Sequence, residues 1–353
     1  MEPSIFYIPS TILMEILSKL PISTICNCKC VCSYFRNLIS DPQFSQLILS
    51  RSSPSLLLCS NDSRESSLYS IESINTCDVE SDIDDDICIP SSTLLKFYPG
   101  CDGPAEGLEV LSSCNGLICF HWPRTCNPYV ICNPVINEYV IVPQIEKRGF
   151  DQCSSGFGFC SGTNQYKVLR LLYRRTGFGV TGKIKLEAEI NTLGTNLWRR
   201  VGDALSCLHW YPSGCFLNGA LHWMLGVSLE QIKIGVLKDG LSIFHRPINY
   251  MLDIWVMKDY AAQESWTKDF VIKIPNPYNN IVCQPLMVLS NSDILMSYAL
   301  STLLSWNTRD GSIRKGNTLE HFTAMSTVGD RHLVYKLCDV PWLFYGYVMR
   351  CET

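Results

Sequence analysis

Apolar residues follow a helical period in the first fifty positions of the chain. After Pro9, apolar residues recur at positions 12, 13, 16, 17 and 20, which is the i, i+3, i+4 spacing of one helix face, with Ser10 as the expected N-cap. Pro21 ends this helix. The same pattern predicts further short helices over residues 22–31, 33–40 and 42–49, the last with Asp41 as its cap. Residues 1–50 are therefore predicted to form a small all-α module of three to four helices.

The rest of the chain has the pattern of short strands separated by turns. Runs rich in β-branched and aromatic residues alternate with Gly, Asn, Asp and Pro, which favours hairpins. Asn-Gly and Asp-Gly are strong turn signals because both central residues of such a turn need a positive φ. Hairpin turns are predicted at Asn115-Gly116, Gly162-Thr163-Asn164, Asn218-Gly219, Asp239-Gly240, Asn291-Ser292 and Gly329-Asp330.

The spacing of these turns predicts a β-propeller-like domain over residues 51–353. Second hairpins are expected near residues 134–137, 194 and 263, and most first turns lie roughly 40–55 residues apart, the size of a four-stranded blade. Gly219 and Gly240 are only 21 positions apart. One blade is therefore expected to have lost its outer strands, unless the chain departs from strict repetition there. Four tryptophans fall in predicted strands and are expected to pack between blades: Trp198, Trp223, Trp255 and Trp266.

The helical segment carries more apolar surface than it can bury by itself, since three or four short helices form only a small core. Periodicity alone leaves open whether the surplus packs on the next domain or faces a partner. The segments EILSKLP (15–21), CKCVC (28–32) and FRNLISDPQF (35–44) resemble the plant form of the F-box. That family's module docks on a Skp-family adaptor and, through it, on the cullin and RING subunits of a ubiquitin ligase.

The resemblance implies a set of adaptor-binding residues, some of which must instead form the core of the module. Phe35 stands where the family usually has Trp, so weaker docking is expected rather than none. The implied residues are Pro9, Leu13, Ile16, Leu17, Leu20, Pro21, Ile25, Val31, Cys32, Phe35 and Leu38.

The β-rich part carries a second resemblance over about residues 100–300. An ordered series of short motifs, including SCNGLIC (113–119), GFGF (156–159), FLNGALHW (216–223) and DIWVMK (253–258), is similar to the plant F-box-associated domain, which is regarded as propeller-like. A strand pair usual in that family after the HW motif is missing here. This agrees with the short spacing between Gly219 and Gly240.

Charge and hydropathy narrow the classes of partner. Of 353 residues, 46% are hydrophobic and 18% charged, and the net charge is −4 without any Lys/Arg tract. This argues against nucleic-acid binding and against binding to an anionic membrane surface. No apolar run approaches the ~20 residues of a membrane-spanning helix.

Six of nine residues at 78–86 are acidic. A solvated loop is favoured there over a calcium site, because the loop has no central Gly.

The 19 cysteines first suggest a secreted disulfide protein. The N-terminal residues lack the pattern of a signal peptide, so reduced thiols and a location in the cytoplasm and/or nucleus are expected. Cys26, Cys28, Cys30 and Cys32 alternate along the chain, and residues two apart cannot converge on one ion from a helix or a strand. No metal site is predicted, and a disulfide framework is disfavoured.

Motifs of enzyme chemistry are weak. Residues 177–182 match G-x-G-x-x-G, but a strand pattern follows where a dinucleotide site needs a helix. His222 is expected to be a buried or rim residue rather than a base. No catalytic residue and no cofactor is therefore predicted.

Aromatic residues near turns could form a recognition rim, although core filling is favoured for any single one: Trp122, Trp210, Tyr211 and Trp342.

Together these features predict a non-catalytic substrate-recognition subunit of a Skp–cullin–F-box ubiquitin ligase, whose β domain binds a protein target. The residues that would contact that target cannot be named from the sequence. The alternative is a degenerate F-box protein that acts as an interaction scaffold without ligase function.

Overall fold

The fold is given by a computed structural model of the chain. It describes residues 8–51, 55–62, 65–71, 93–96, 109–121, 129–133, 138–143, 151–176, 183–203, 214–225, 232–246, 250–260, 262–274, 283–289, 291–298, 302–318, 322–327 and 345–350. Predictions that concern the acidic segment 78–86, the loop aromatics at 122, 210, 211 and 342, the 177–182 motif and the turn at 329–330 lie outside these residues.

Four helices form the N-terminal module, as the apolar period predicts: α1 (Ser10–Leu17), α2 (Ile22–Cys28), α3 (Ser33–Ile39) and α4 (Pro42–Arg51). Asp41 caps α4, because its Oδ1 accepts the backbone N–H of Gln43 at 2.8 Å. The prediction for Ser10 is wrong. Ser10 is the first residue of α1, and Pro9 occupies the N-cap position without a side-chain capping bond. The carbonyl of Pro9 instead accepts the backbone N–H groups of Ile12 and Leu13.

The described residues after the module form strands and one short 3₁₀ turn. The strands are β1 (Ser55–Asp62), β2 (Glu65–Ile71), β3 (Thr93–Lys96), β4 (Glu109–Cys114), β5 (Leu117–His121), β6 (Tyr129–Asn133), β7 (Glu138–Val142), β8 (Asp151–Cys160), β9 (Gln165–Thr176), β10 (Lys183–Thr192), β11 (Trp198–Asp203) and β12 (Cys215–Leu217). They continue with β13 (Ala220–Leu225), β14 (Ile232–Leu237), β15 (Gly240–His245), β16 (Met251–Met257), β17 (Trp266–Lys273), β18 (Cys283–Val288), β19 (Ile294–Tyr298), β20 (Thr302–Trp306), β21 (Ile313–Thr318), β22 (Phe322–Thr327) and β23 (Tyr345–Arg350).

These strands pair into six antiparallel sheets, the blades of a β-propeller. Within the described residues, five sheets have four strands: β4 to β7, β8 to β11, β14 to β17, β18 to β21, and β22-β1-β2-β3. The first strands of successive sheets contact one another in the order β4, β8, β12, β14, β18, β22. In the last sheet β22 pairs with β1, so a strand from late in the chain completes a blade begun by the first strands.

The sixth sheet is the truncated blade that the short turn spacing predicts. It holds the hairpin β12–β13 and takes its third strand, β23, from near the end of the sequence. The fold class expected from the sequence is thus confirmed. The origin of the third strand could not be predicted, because pairing between residues more than a hundred positions apart leaves no local signal.

Most predicted turns are confirmed by backbone angles. Asn115 and Gly116 have φ of 49° and 75°, and Asn218 and Gly219 have 50° and 81°. The turn predicted at Asp239-Gly240 is wrong by one residue. Lys238 and Asp239 are the positive-φ pair, and Gly240 pairs with Leu237 across the hairpin. Register explains the shift, because a slip of one residue would turn every apolar side chain of β15 to the opposite face.

Apolar side chains pack between neighbouring blades. Trp223 is buried in a cluster with Leu169 and Leu171 of the preceding blade, and its Nε1 donates to Ser154 Oγ at 2.8 Å. Trp266 packs beside the cluster of Leu217, Leu241 and Met257. Trp198 donates to the carbonyl of Pro143 at 2.8 Å. The predicted packing between blades is therefore confirmed for these three tryptophans.

Candidate protein-docking surface of the helical module

The helical module has a small core of its own. Leu13 and Leu17 of α1, Ile25 of α2 and Leu38 of α3 are between 3% and 7% exposed, and they pack with Ile39 and Phe44. Four of the eleven implied docking residues therefore lie inside the module. They fix the helices relative to one another and cannot contact a partner directly.

Other implied docking residues lie at the surface. Ile16 and Leu20 are 49% and 36% exposed, and Val31, between α2 and α3, is 69% exposed. Pro9 and Pro21 are also exposed. Cys32 and Phe35 are half-buried, and Phe35 packs against the module's core.

Ile12, which is not among the implied docking residues, is 50% exposed. Ile12, Ile16 and Leu20 are spaced i, i+4, i+8, so the first two lie on the same side of α1 and Leu20 follows in the turn after it. We call Ile12, Ile16, Leu20 and Val31 the apolar stripe. The spacing was readable from the sequence, but periodicity alone cannot tell which apolar face is turned inward.

An ion pair joins the first and last helices of the module beside the stripe. The Nη2 of Arg51 donates to both carboxylate oxygens of Glu15 at 2.7 Å, and Arg51 also donates to Ser18 Oγ. The hydrogen bond from Arg51 holds the pKa of Glu15 below its usual value. Lys19 lies 3.7 Å from the same carboxylate. Because both partners are exposed, the contribution to stability is small and salt-dependent, but the pair orients α1.

The four cysteines of the run lie in three different local structures. Cys26 and Cys28 lie on α2, Cys30 is exposed in the following turn, and Cys32 is extended at the start of α3. In the part of the chain that the structure describes, no three His, Cys, Asp or Glu side chains are grouped to hold an ion. Burial raises the pKa of Cys26, which favours the neutral thiol.

One histidine and three cysteines buried in the propeller have pKa values shifted toward their neutral forms. Burial lowers the pKa of His222 to about 4, and its Nδ1 lies 3.1 Å from the carbonyl oxygen of Cys215. Burial also raises the pKa of Cys132, Cys215 and Cys283 to about 12. At neutral pH these groups are an uncharged imidazole and protonated thiols, so none of them is poised as a charged acid or a thiolate nucleophile.

A cleft of about 310 Å³ lies where the β14–β15 turn meets β16 and β17. Its apolar lining includes Leu241, Val256 and Phe270. Lys258 pairs with Asp269 at its edge, and the Lys238 ammonium lies 5.6 Å from the centre of the Phe270 ring.

Among the described residues, no helix is long and apolar enough to cross a membrane.

Comparison with known proteins agrees with both parts of this architecture. The family model described as "F-box-like" matches residues 5–49, and the model described as "F-box associated beta propeller domain" matches residues 55–237, just over half of the chain. The chain therefore belongs to the F-box associated beta propeller domain family.

Its relatives include F-box proteins of Arabidopsis thaliana. One F-box protein is 26% identical, covering 87% of this chain and 86% of the relative. An F-box/kelch-repeat protein is 24% identical, covering 86% and 88%. Among solved structures, a six-bladed fungal lectin of Aleuria aurantia is 10% identical over 75% of this chain and 95% of the lectin, with a TM-score of 0.35.

Proposed function

We propose that this protein is the substrate-recognition subunit of a Skp–cullin–F-box ubiquitin ligase. The helical module docks on the Skp-family adaptor, and through it on the cullin and RING subunits, while the propeller binds a protein target. The apolar stripe carries the proposal, since its four large side chains remain between 36% and 69% exposed although the module has a core of its own. Exposed apolar side chains on neighbouring turns of one helix, as Ile12 and Ile16 are, form the kind of patch that is typical of a protein interface.

The proposed subunit acts by proximity rather than by chemistry of its own. Holding a target beside a recruited ubiquitin-conjugating enzyme raises the effective concentration of the target's lysines at the donor. Burial shifts the pKa values of His222 and Cys132 toward their neutral forms, which suits a binding scaffold. We propose a location in the cytoplasm and/or nucleus, where protein thiols are kept reduced.

Co-purification with a Skp-family adaptor tests the proposal. Ile16→Asp and Val31→Asp place a charge in the stripe without entering the core, and each is expected to weaken adaptor binding at least tenfold. Val271→Asp is the matched control, since Val271 is 46% exposed on β17 of the propeller and its replacement should leave binding unchanged. Deleting residues 1–50 should abolish co-purification. Adaptor binding that persists in the deletion would show the module's role to be misassigned.

A second candidate keeps the fold but omits the ligase. Phe35 in place of the usual Trp, half-buried against the module's core, favours a scaffold that binds partners without causing their degradation. The half-life of a captured target, measured with and without this protein, separates the two functions. A ligase subunit shortens the half-life, and a scaffold leaves it unchanged.

A further inference from the structure

The outer edge of β13 is covered by a strand from a distant part of the chain. Six residues of β13 pair with β23, from Ala220 opposite Arg350 to Leu225 opposite Tyr345. The other hairpins that begin a blade at β4, β8, β14 and β18 continue directly into third and fourth strands of their own. The hairpin β12–β13 has no such continuation, so its edge depends on an added strand to satisfy its backbone groups.

The receiving hairpin packs closely against the blade before it. Trp223 donates to Ser154 Oγ at 2.8 Å, and Gly214 donates its backbone N–H to the carbonyl of Ser155 at 2.8 Å. A Cβ on Gly156 would lie 2.6 Å from a methyl carbon of Leu221, so the backbone of β8 is in close contact with β13. These contacts come from β8 and not from β23. The edge of β13 is therefore preorganised to accept a strand.

The covering strand comes from a distant position in the sequence. β23 follows β22 after residues 328–344, a connection of 17 residues. Along the ring of contacting first strands, β14 and β18 lie between β22 and β12. β23 is also the last strand of its sheet in the described residues, with β13 as its partner. Closing such a connection has an entropic cost that rises slowly with its length, and this cost offsets part of the free energy gained when β23 pairs with β13.

We propose that the outer edge of β13 is a strand-addition site, closed in cis by β23 and opened when an extended segment of the protein target takes its place. This inference rests on the proposed function, in that the propeller is the part that binds a target. The incoming segment forms the same antiparallel backbone ladder as β23. It is expected to be rich in aromatic and β-branched residues, as the sequence Tyr345–Arg350 is, since such residues suit a paired strand.

The full chain carrying Val348→Pro tests the site. Val348 pairs with His222, and proline fixes φ at about −65°, away from the value of an antiparallel strand, which disfavours the pairing of β23. The probe is a synthetic peptide of residues 343–353 with a fluorescent label, and the measurement is fluorescence anisotropy. We expect the Val348→Pro chain to bind this peptide at least tenfold more tightly than the unaltered chain. Val201→Pro, in the bulge of the outer strand β11, is the matched control and should bind like the unaltered chain.

A tethered variant covers the case in which Val348→Pro fails to fold. Ala220→Cys with Arg350→Cys, which face each other across the pair, should form a disulfide that holds β23 in place and reduces peptide binding below that of the unaltered chain. Equal peptide binding by the tethered and unaltered chains would overturn the proposal. So would a folded Val348→Pro chain that does not bind the peptide, or one that forms dimers instead. Adaptor binding, measured on each variant, reports separately on the proposed function.

Discussion

At the scale of single residues, a buried ion pair links two neighbouring strands of the blade β8 to β11. Arg170 on β9 donates to Glu189 Oε2 from Nε at 3.1 Å and from Nη2 at 2.8 Å, and both residues are less than 10% exposed. The Trp198 ring lies 4.1 Å from the guanidinium carbon and 6.0 Å from the ring of Tyr129 in the preceding blade. The pair is thus enclosed on the face of the sheet that meets its neighbour.

Removing one member of this ion pair should lower the free energy of unfolding much more than removing both members. Arg170→Met leaves the carboxylate of Glu189 buried without its cation, so the free energy of unfolding in urea is expected to fall by about 3–5 kcal/mol. The double variant Arg170→Met/Glu189→Leu removes both charges and should recover most of that loss. A single variant that costs less than about 1 kcal/mol would contradict this account.

His222 makes the stability of the propeller sensitive to mild acid. Its pKa is lowered from 6.5 to about 4 in the fold by burial, so the unfolded chain takes up a proton at a higher pH than the folded chain does. The resulting stability is fully present above pH 6.5 and is lost as the pH falls toward 4. The shift corresponds to about 3 kcal/mol.

Denaturant titrations at pH 7 and pH 4.5 measure this contribution. The loss of stability between the two should be smaller in His222→Gln than in the unaltered chain. His245→Gln is the comparison. Burial also lowers the pKa of His245, but this side chain is only half-buried, and the charge of Asp253 acts to raise the same pKa. An unchanged pH dependence in His222→Gln would argue against a neutral, buried imidazole.

At the scale of elements, the handedness of hairpin turns decides where glycine is required. Gly219 has a φ of 81°, a region that disfavours any residue with a Cβ. Gly202, in β11, has open space where a Cβ would be and no positive φ. Gly219→Ala should therefore lower the free energy of unfolding by about 1 kcal/mol. Gly202→Ala should be neutral or stabilising, and equal losses in both variants would show that backbone handedness is not the cause.

Elements that depend on adjacent residues were predicted well from the sequence. The Asn-Gly turns and the period of the helices are properties of adjacent residues, and both are found where expected. The β14–β15 turn was misplaced because the register of the whole hairpin outweighs the preference of Asp239-Gly240. Likewise, periodicity identified the apolar residues of α1 but not which ones face outward, since Leu13 and Ile16 differ only in the partners that the other helices supply.

At the scale of the whole molecule, two long-range pairings complete the propeller. β22 closes the blade of β1 to β3, and β23 completes the blade of β12 and β13. Neither pairing leaves a signal in a local stretch of sequence. The short gap between two turns nevertheless predicted that one blade would lack strands of its own. Spacing therefore revealed the missing strands, and only the three-dimensional arrangement revealed what replaces them.

The closure between β1 and β22 should stabilise the ring as a unit. Leu57 pairs with Ser70 of β2 on one side and with Met325 of β22 on the other, so a proline at position 57 must remove a ladder hydrogen bond from an interior strand. Leu57→Pro is expected to lower the free energy of unfolding by on the order of 3 kcal/mol. Leu57→Ala, which keeps the backbone donor, isolates the contribution of the side chain.

Tryptophan fluorescence in distant blades shows whether this loss is shared by the whole ring. Trp223 on β13 and Trp266 on β17 belong to blades that do not contain β1. If the blades unfold together, as packing between neighbours predicts, Leu57→Pro should lower the urea midpoint reported by both tryptophans to the same extent as the midpoint from circular dichroism. A lowered midpoint in circular dichroism with unchanged tryptophan transitions would mean that the blade of β1 opens alone. Closure by β22 would then stabilise only its own sheet.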